Sequence, residues 1–310
     1  MSTQTAMDSG RRAAAAPPGG LRRLMQRRST IAVMMCVPLL AIVIGLIAYP
    51  FLYALFLSTL NKAETKFVGL DNFFFLFGRN TFWMVVYQSV LFALTAVVFK
   101  VLIGFAAAHM VNNIPTKGQR KWRGMLLVPW VIPPALSTLG WWWLFEPTYS
   151  AINWVLEQFA APAIPWLSDR FWARFSVILV NVWFGAPFFL IMYLAALKSI
   201  PEELYEAAAI DGASAWQRLV HVTLPMMRNI IAITVLFSII VTFANFDIVR
   251  VLTQGGPRNS THLFATYAFR LGIETGDVPL GAAVSLFMFP VLAVFAFIIL
   301  RNVRRRAREI

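Results

Sequence analysis

Apolar residues fall in six long runs separated by short charged clusters. Ile31 to Leu60 carries no charge, Thr81 to Val111 carries only Lys100, and Gly124 to Phe145 and Phe175 to Leu197 carry none. Asn229 to Phe246 is uncharged until it meets Asp247 and Arg250, and Leu280 to Leu300 is uncharged again. A bilayer core of about 30 Å takes about 20 apolar residues in a helix. The pattern therefore predicts an all-α, polytopic membrane protein with six transmembrane helices over residues 31–303. Pro38, Pro133, Pro134, Pro187 and Pro290 lie inside these runs. In a soluble helix they would argue for breaks, whereas a membrane bundle tolerates them as kinks.

Composition agrees with the pattern. The 310 residues are 59% hydrophobic and 13% charged, against roughly 45–50% and 25% in an ordinary soluble domain. That excludes a soluble enzyme, a disordered chain and a disulfide scaffold. The single cysteine, Cys36, excludes an internal disulfide and a zinc site built on several cysteines. The chain holds no phosphate-cradling glycine loop, no H-E-x-x-H and no G-x-S-x-G, and His109, His221 and His262 are far apart. No catalytic residue, metal site or bound cofactor is predicted. The net charge of +13 sits in clusters between apolar runs, so no nucleic acid is expected as a partner.

Those clusters set an orientation. One side collects Arg11, Arg12, Arg22, Arg23, Arg27 and Arg28 in the N-terminal tail, then Lys117, Arg120, Lys121 and Arg123 after the second run. It also collects Lys198, Arg218 and Arg228 between the fourth and fifth runs, and Arg301, Arg304, Arg305, Arg306 and Arg308 at the end. The opposite side has Lys62, Lys66, Arg79, Arg170, Arg174, Arg258 and Arg270. The positive-inside rule places both termini in the cytoplasm, with a disordered basic tail over residues 1–30 and a shorter one over 304–310.

The most informative segment is the connection over residues 199–225, between the fourth and fifth runs. Ser199 suits a helix cap and Pro201 a first turn. Glu202, Glu203 and Glu206 lie towards the positive end of the helix that follows. Ala207, Ala208 and Ala209 leave a narrow surface, and Gly212 suits the left-handed residue that ends a helix. A second amphipathic piece carries Trp216, Leu219 and Val220, and Pro225 opens the next span.

Glu206-Ala207-Ala208, followed by Gly212 and then Leu224-Pro225, closely resembles the EAA loop of ABC importer permeases. The fuller form, Ile200-Pro201 to Asp211-Gly212-Ala213, resembles the carbohydrate-importing, maltose-type branch. Phe67-Val68-Gly69-Leu70-Asp71-Asn72-Phe73, Leu127-Val128-Pro129-Trp130, Trp166-Leu167-Ser168-Asp169 and Leu252-Thr253-Gln254-Gly255-Gly256-Pro257 agree, the last resembling the first permease of a pair. The resemblance implies that the loop is a coupling helix seated on a cytoplasmic ATPase, with Glu203, Glu206, Ala207, Ala208, Asp211 and Gly212 as its contact residues. It implies a second permease subunit, two ATP-binding cassette subunits that carry ATP and magnesium, and an extracytoplasmic solute-binding protein. It implies a carbohydrate or polyol substrate and a bacterial or archaeal cytoplasmic membrane.

A solute pathway needs polar groups inside the spans. Ser238, Thr242 and Asn245 fall at i, i+4 and i+7, on one face of the fifth helix. That spacing fits a solute-facing row and equally a packing seam. The family resemblance implies solute contacts at Asn181, Phe184, Gly185, Phe188, Ser238, Thr242 and Asn245. Asp247 and Arg250, three apart, read as a mutual ion pair or a gate element. Lys100 stands alone in its run, and with only Lys100 and Arg250 charged positive within the spans, a neutral sugar is the expected cargo. A secondary transporter would instead need inverted repeats and midplane carboxylates, which the sequence does not display. A membrane-embedded enzyme would need a convergent acid, base or metal set.

Overall fold

The computed structural model describes residues 28–306. Most of the expected N-terminal tail and the last four residues lie outside that range. The chain divides into two compact units, one ending at Tyr53 and one beginning at Ala54. The first holds most of helix α1 (Met34–Leu57), whose turn over Ile44–Ala48 widens to a π-helix. Its apolar side chains, Leu46 and Ile47 among them, are exposed, as a surface meant for lipid or another helix requires.

The second unit is helical, and among its described residues the extended pairing is confined to a bridge between Leu60 and Phe67. The chain after α1 is stitched by Asn72, whose Nδ2 donates to the carbonyls of Ser58 and Leu60 at 2.8 Å each. Asn72 opens the short helix α2 (Asp71–Phe77) together with Asp71. Helix α3 (Asn80–Asn112) and helix α7 (Arg170–Lys198) pack along much of their length and form the central pair. Phe82, Val85, Phe189, Leu190 and Tyr193 are fully buried between them and their neighbours. Asp169 starts α7 by accepting hydrogen bonds from the N–H groups of Phe171 and Trp172 at 2.8 and 3.1 Å.

The third run is not one straight span. Helix α4 (Thr116–Val131) and helix α5 (Pro134–Phe145) meet at 88°. Ile132 and Pro133 are extended, with ψ of 134° and 132°. A residue before proline is driven out of the helical region, so Pro133-Pro134 imposes it twice in a row and produces an elbow instead of a kink. The described residues thus hold five helices long and apolar enough to cross a membrane, or up to six if the bent pair counts as one. A short helix α6 (Ala151–Gln158) follows, capped by Ser150.

Helix α8 (Glu202–Ile210) is the predicted helix of the connection, and α9 (Ala215–Phe243) follows it. The second piece of the connection is not separate from the fifth span. It runs into it through a π-turn over Leu219–Thr223, and Pro225 sits in the first turn of the α-helical part. Beyond α9 come α10 (Asp247–Leu252), α11 (Phe264–Phe269), α12 (Val278–Leu286) and α13 (Met288–Arg306), so regular helix enters the region expected as a C-terminal tail.

Candidate functional site

The connection between α7 and α9 is a closed helical hairpin. Ser199 ends α7 instead of starting α8: its N–H and Oγ both turn back to the α7 carbonyls, Oγ donating to Ala196 at 2.8 Å. Pro201 takes the N-cap position of α8, and Glu202 and Glu203 occupy its first turn. Glu206 lies beyond that turn and is exposed, which leaves its carboxylate available for another protein.

The end of α8 is set by hydrogen bonding. Ala213 N–H donates to Ala208 O at 2.9 Å and Gly212 N–H to Ala209 O at 3.1 Å. This Schellman pair needs a left-handed residue, and Gly212 has φ +76°. Ser214 and Gln217 then form a capping box that starts α9. The hydroxyls of Tyr205 and Thr223 meet at 2.9 Å and fasten α8 to the base of α9.

Of the predicted contact residues, Glu203, Glu206, Ala207, Asp211 and Gly212 are exposed and Ala208 is half-buried. The hairpin also presents Ile210 at 86% exposure and Trp216 at 71%. In the sequence Ile210 is one apolar position among many; its place at the end of α8 is what exposes it. A groove of about 810 Å³ runs behind the hairpin, lined by Phe105, His109, Asn113, Tyr205 and Trp216 among others.

The predicted pathway residues are divided. Asn181, Ser238 and Thr242 are buried within this chain, at 3%, 5% and 1% exposure. Phe184 and Gly185 are half-buried. Phe188 packs between Trp130 and Phe237, with ring centroids 5.9 and 5.1 Å away. Asn245 does not continue the face of α9, because that helix ends at Phe243 and Asn245 lies in the turn beyond.

Lys100 joins two of these positions. Its Nζ donates to Thr242 Oγ1 at 3.0 Å. Its stem crosses α7 at Gly185, where an added Cβ would fall 2.5 Å from Lys100 Cε. The lone charge in the second run was the available signal, but its partners are distant in sequence.

The expected pair of Asp247 with Arg250 is not formed. Asp247 is exposed in the first turn of α10, where a carboxylate favours the helix dipole. Arg250 instead forms an ion pair with Glu274, and its guanidinium lies 4.9 Å from the Phe269 ring centroid. Spacing along one helix favoured the near acid, whereas the fold brings up the far one.

Between α10 and α11 the chain folds around His262, which is 2% exposed. Its ring lies on Gly255, where φ is +88° and an added Cβ would sit 2.1 Å from the imidazole. Nδ1 is 3.2 Å from Thr266 Oγ1 and Nε2 is 3.2 Å from the Arg270 guanidinium, which also donates to Asn259 Oδ1. Burial, reinforced by Arg270, pushes the His262 pKa down to about 4, so the ring is neutral and accepts from Arg270.

A helical membrane bundle with an exposed hairpin of this form defines a permease of a binding-protein-dependent importer. Residues 100–309 match the family described as "Binding-protein-dependent transport system inner membrane component", and the chain belongs to that family. The trehalose/maltose transport system permease protein MalF of Thermococcus litoralis is 30% identical over 90% of this chain and 96% of its own. The sulfoquinovosyl glycerol transport system permease protein SmoG of Agrobacterium fabrum is 30% identical, covering 89% of this chain and 91% of its own. The maltose/maltodextrin permease MalF of Vibrio vulnificus is 32% identical over 79% of this chain, which spans 50% of that longer relative. The same fold is found in a bacterial ABC transporter of alginate in complex with its periplasmic protein. That chain has a TM-score of 0.80 at 23% identity, over 92% of this chain and 97% of its own.

Proposed function

We propose that this permease is one half of a translocation pore for a carbohydrate or a related polyol or sugar derivative. The pore is completed by a second, different permease subunit. Two ATP-binding cassette subunits, which hold the ATP and magnesium, seat on the hairpins, and an extracytoplasmic solute-binding protein delivers the cargo. The chain sits in a bacterial or archaeal cytoplasmic membrane with both termini and the hairpin on the cytoplasmic side. The surplus of lysine and arginine on that side supports this orientation.

The observation that carries the reading is the hairpin itself. Ile210 and Trp216 are apolar, exposed and held on a rigid turn beside the carboxylates of Glu203 and Glu206. A force-transmitting contact needs this kind of rigidity, with apolar anchors for a pocket and charges at the rim. The names of the relatives support the cargo class, as all three carry sugars or sugar derivatives.

The test is purification of the tagged chain from its native membrane in mild detergent, with mass spectrometry of the proteins that accompany it. Stoichiometric recovery of an ATPase and a second permease is expected. A lone chain that transports by itself would overturn the reading in favour of a secondary transporter.

A further inference from the structure

Lys100 lies mid-way along α3, 4% exposed, with its Nζ on a neutral hydroxyl. Among the described residues Lys100 forms no ion pair, so no carboxylate stands against it. A charge held in mid-membrane without a counter-charge is costly, and such residues mark solute or ion pathways. The fold also makes room for it. Gly185 leaves α7 bare where the lysine stem crosses, and any side chain there would strike Cδ, Cε and Nζ.

A group beside that crossing is not saturated. Asn181 lies one helical turn from Gly185 on the same face of α7, and its buried Oδ1 has no partner. Buried polar groups are ordinarily satisfied, and exceptions call for an explanation. A carboxamide can turn either end towards an arriving group. The lysine ammonium, on a flexible stem, can leave Thr242 to follow a solute.

We propose that Lys100, with Thr242 and the amide of Asn181, is a subsite for one anionic group on the transported solute: a carboxylate, sulfonate or phosphate borne by a sugar. The hydroxyl and the amide suffice to hydrogen-bond a neutral sugar, and the ammonium is the element that reads charge. This replaces the neutral cargo expected from the sequence. Of the two cations counted within the spans, Arg250 is neutralised by Glu274 and Lys100 is not. The inference rests on the importer reading above.

The test uses the intact transporter with its binding protein in proteoliposomes loaded with ATP. The probes are matched sets of saccharides, each neutral member beside its uronic-acid, sulfonated and phosphorylated counterparts, with accumulation read by mass spectrometry. ATP-dependent import of a charged member is expected, and Lys100→Met should lower it at least tenfold relative to the neutral counterpart. ATP-dependent import of neutral members alone would overturn the subsite and leave the importer reading standing. Equal loss of charged and neutral import in Lys100→Met, or no loss, would also overturn it, since a structural strut does not discriminate by charge. No ATP-dependent import of any member would fail the carbohydrate-importer reading, and the subsite with it.

Discussion

The hydroxyls of Tyr205 and Thr223, 2.9 Å apart, form a direct polar link between α8 and the base of α9. Thr223 is 2% exposed and sits in the π-turn that joins the hairpin to α9. Under the proposed coupling, a push on α8 reaches α9 through this bond as well as through the Gly212 turn. Tyr205→Phe removes one hydrogen bond of about 1 kcal/mol and keeps the ring. Uptake per ATP hydrolysed should fall several-fold in proteoliposomes while assembly with the ATPase is unchanged. Thr223→Val should add little to that loss, because the two hydroxyls act on each other. Full additivity would show that the bond does not carry the coupling.

Gly212 offers a cleaner separation of strain from contact. A Cβ at this position meets nothing within 4 Å, so a substitution is opposed by its φ of +76° alone. A left-handed conformation costs an ordinary L-residue about 1–2 kcal/mol, and asparagine less than most. Gly212→Val should reduce uptake strongly, and Gly212→Asn mildly, with equal amounts of both proteins in the membrane fraction. Equal defects would instead point to a direct contact at Gly212.

Glu206 tests the surface of the hairpin. It is exposed and lies past the first turn of α8, so the helix dipole is served by Glu202 and Glu203. Glu206→Lys should leave the chain inserted and folded, with an unchanged melting temperature, yet weaken its hold on the ATPase during detergent purification. A lowered melting temperature with intact ATPase retention would show that the residue acts within the chain.

His262 makes stability depend on pH. Its folded pKa is about 4, and that of the unfolded chain is near 6.5. Arg270 and Arg250 oppose its protonation and Glu274 favours it. The unfolded state therefore binds the extra proton between those values. The contribution to stability is complete above pH 6.5 and is lost as the pH falls towards 4. The limiting slope is about 1.4 kcal/mol per pH unit for one proton. Thermal melts of the purified protein from pH 7 to pH 4 should show this loss, and His262→Asn should flatten it. A slope unchanged in the variant would assign the effect to other groups.

Much of this was readable in the chain because apolar runs and the Glu-Ala-Ala, Gly, Leu-Pro spacing are local signals. The spans, helix α8 and the turn at Gly212 follow from residues near each other. The elbow at Pro133-Pro134 did not, since two prolines in a membrane run are compatible with a kink or a break until packing decides. Asn245 fell off its helical face because α9 stops at Phe243, and helix ends are weakly specified by pattern. The pairs Arg250 with Glu274 and Lys100 with Thr242 join elements far apart in sequence, and periodicity says nothing about such distances.

Gly185 and Lys100 provide a test of that long-range packing. An alanine methyl at position 185 would lie 2.5 Å from Lys100 Cε, inside any allowed contact. The lysine must swing away, which breaks its bond to Thr242, or α3 and α7 must separate. Overpacking costs about 1–3 kcal/mol, and here the cost lies towards the lower end, because the clashing atoms are the far end of a flexible stem. Gly185→Ala should therefore lower the melting temperature of the purified protein. Lys100→Ala removes the obstructing stem, so in that background the alanine at 185 should cost much less. Residues in direct contact show non-additivity of this sort, whereas independent sites add within a few tenths of a kcal/mol. Additive losses would mean that the stem does not lie against Gly185 in the membrane.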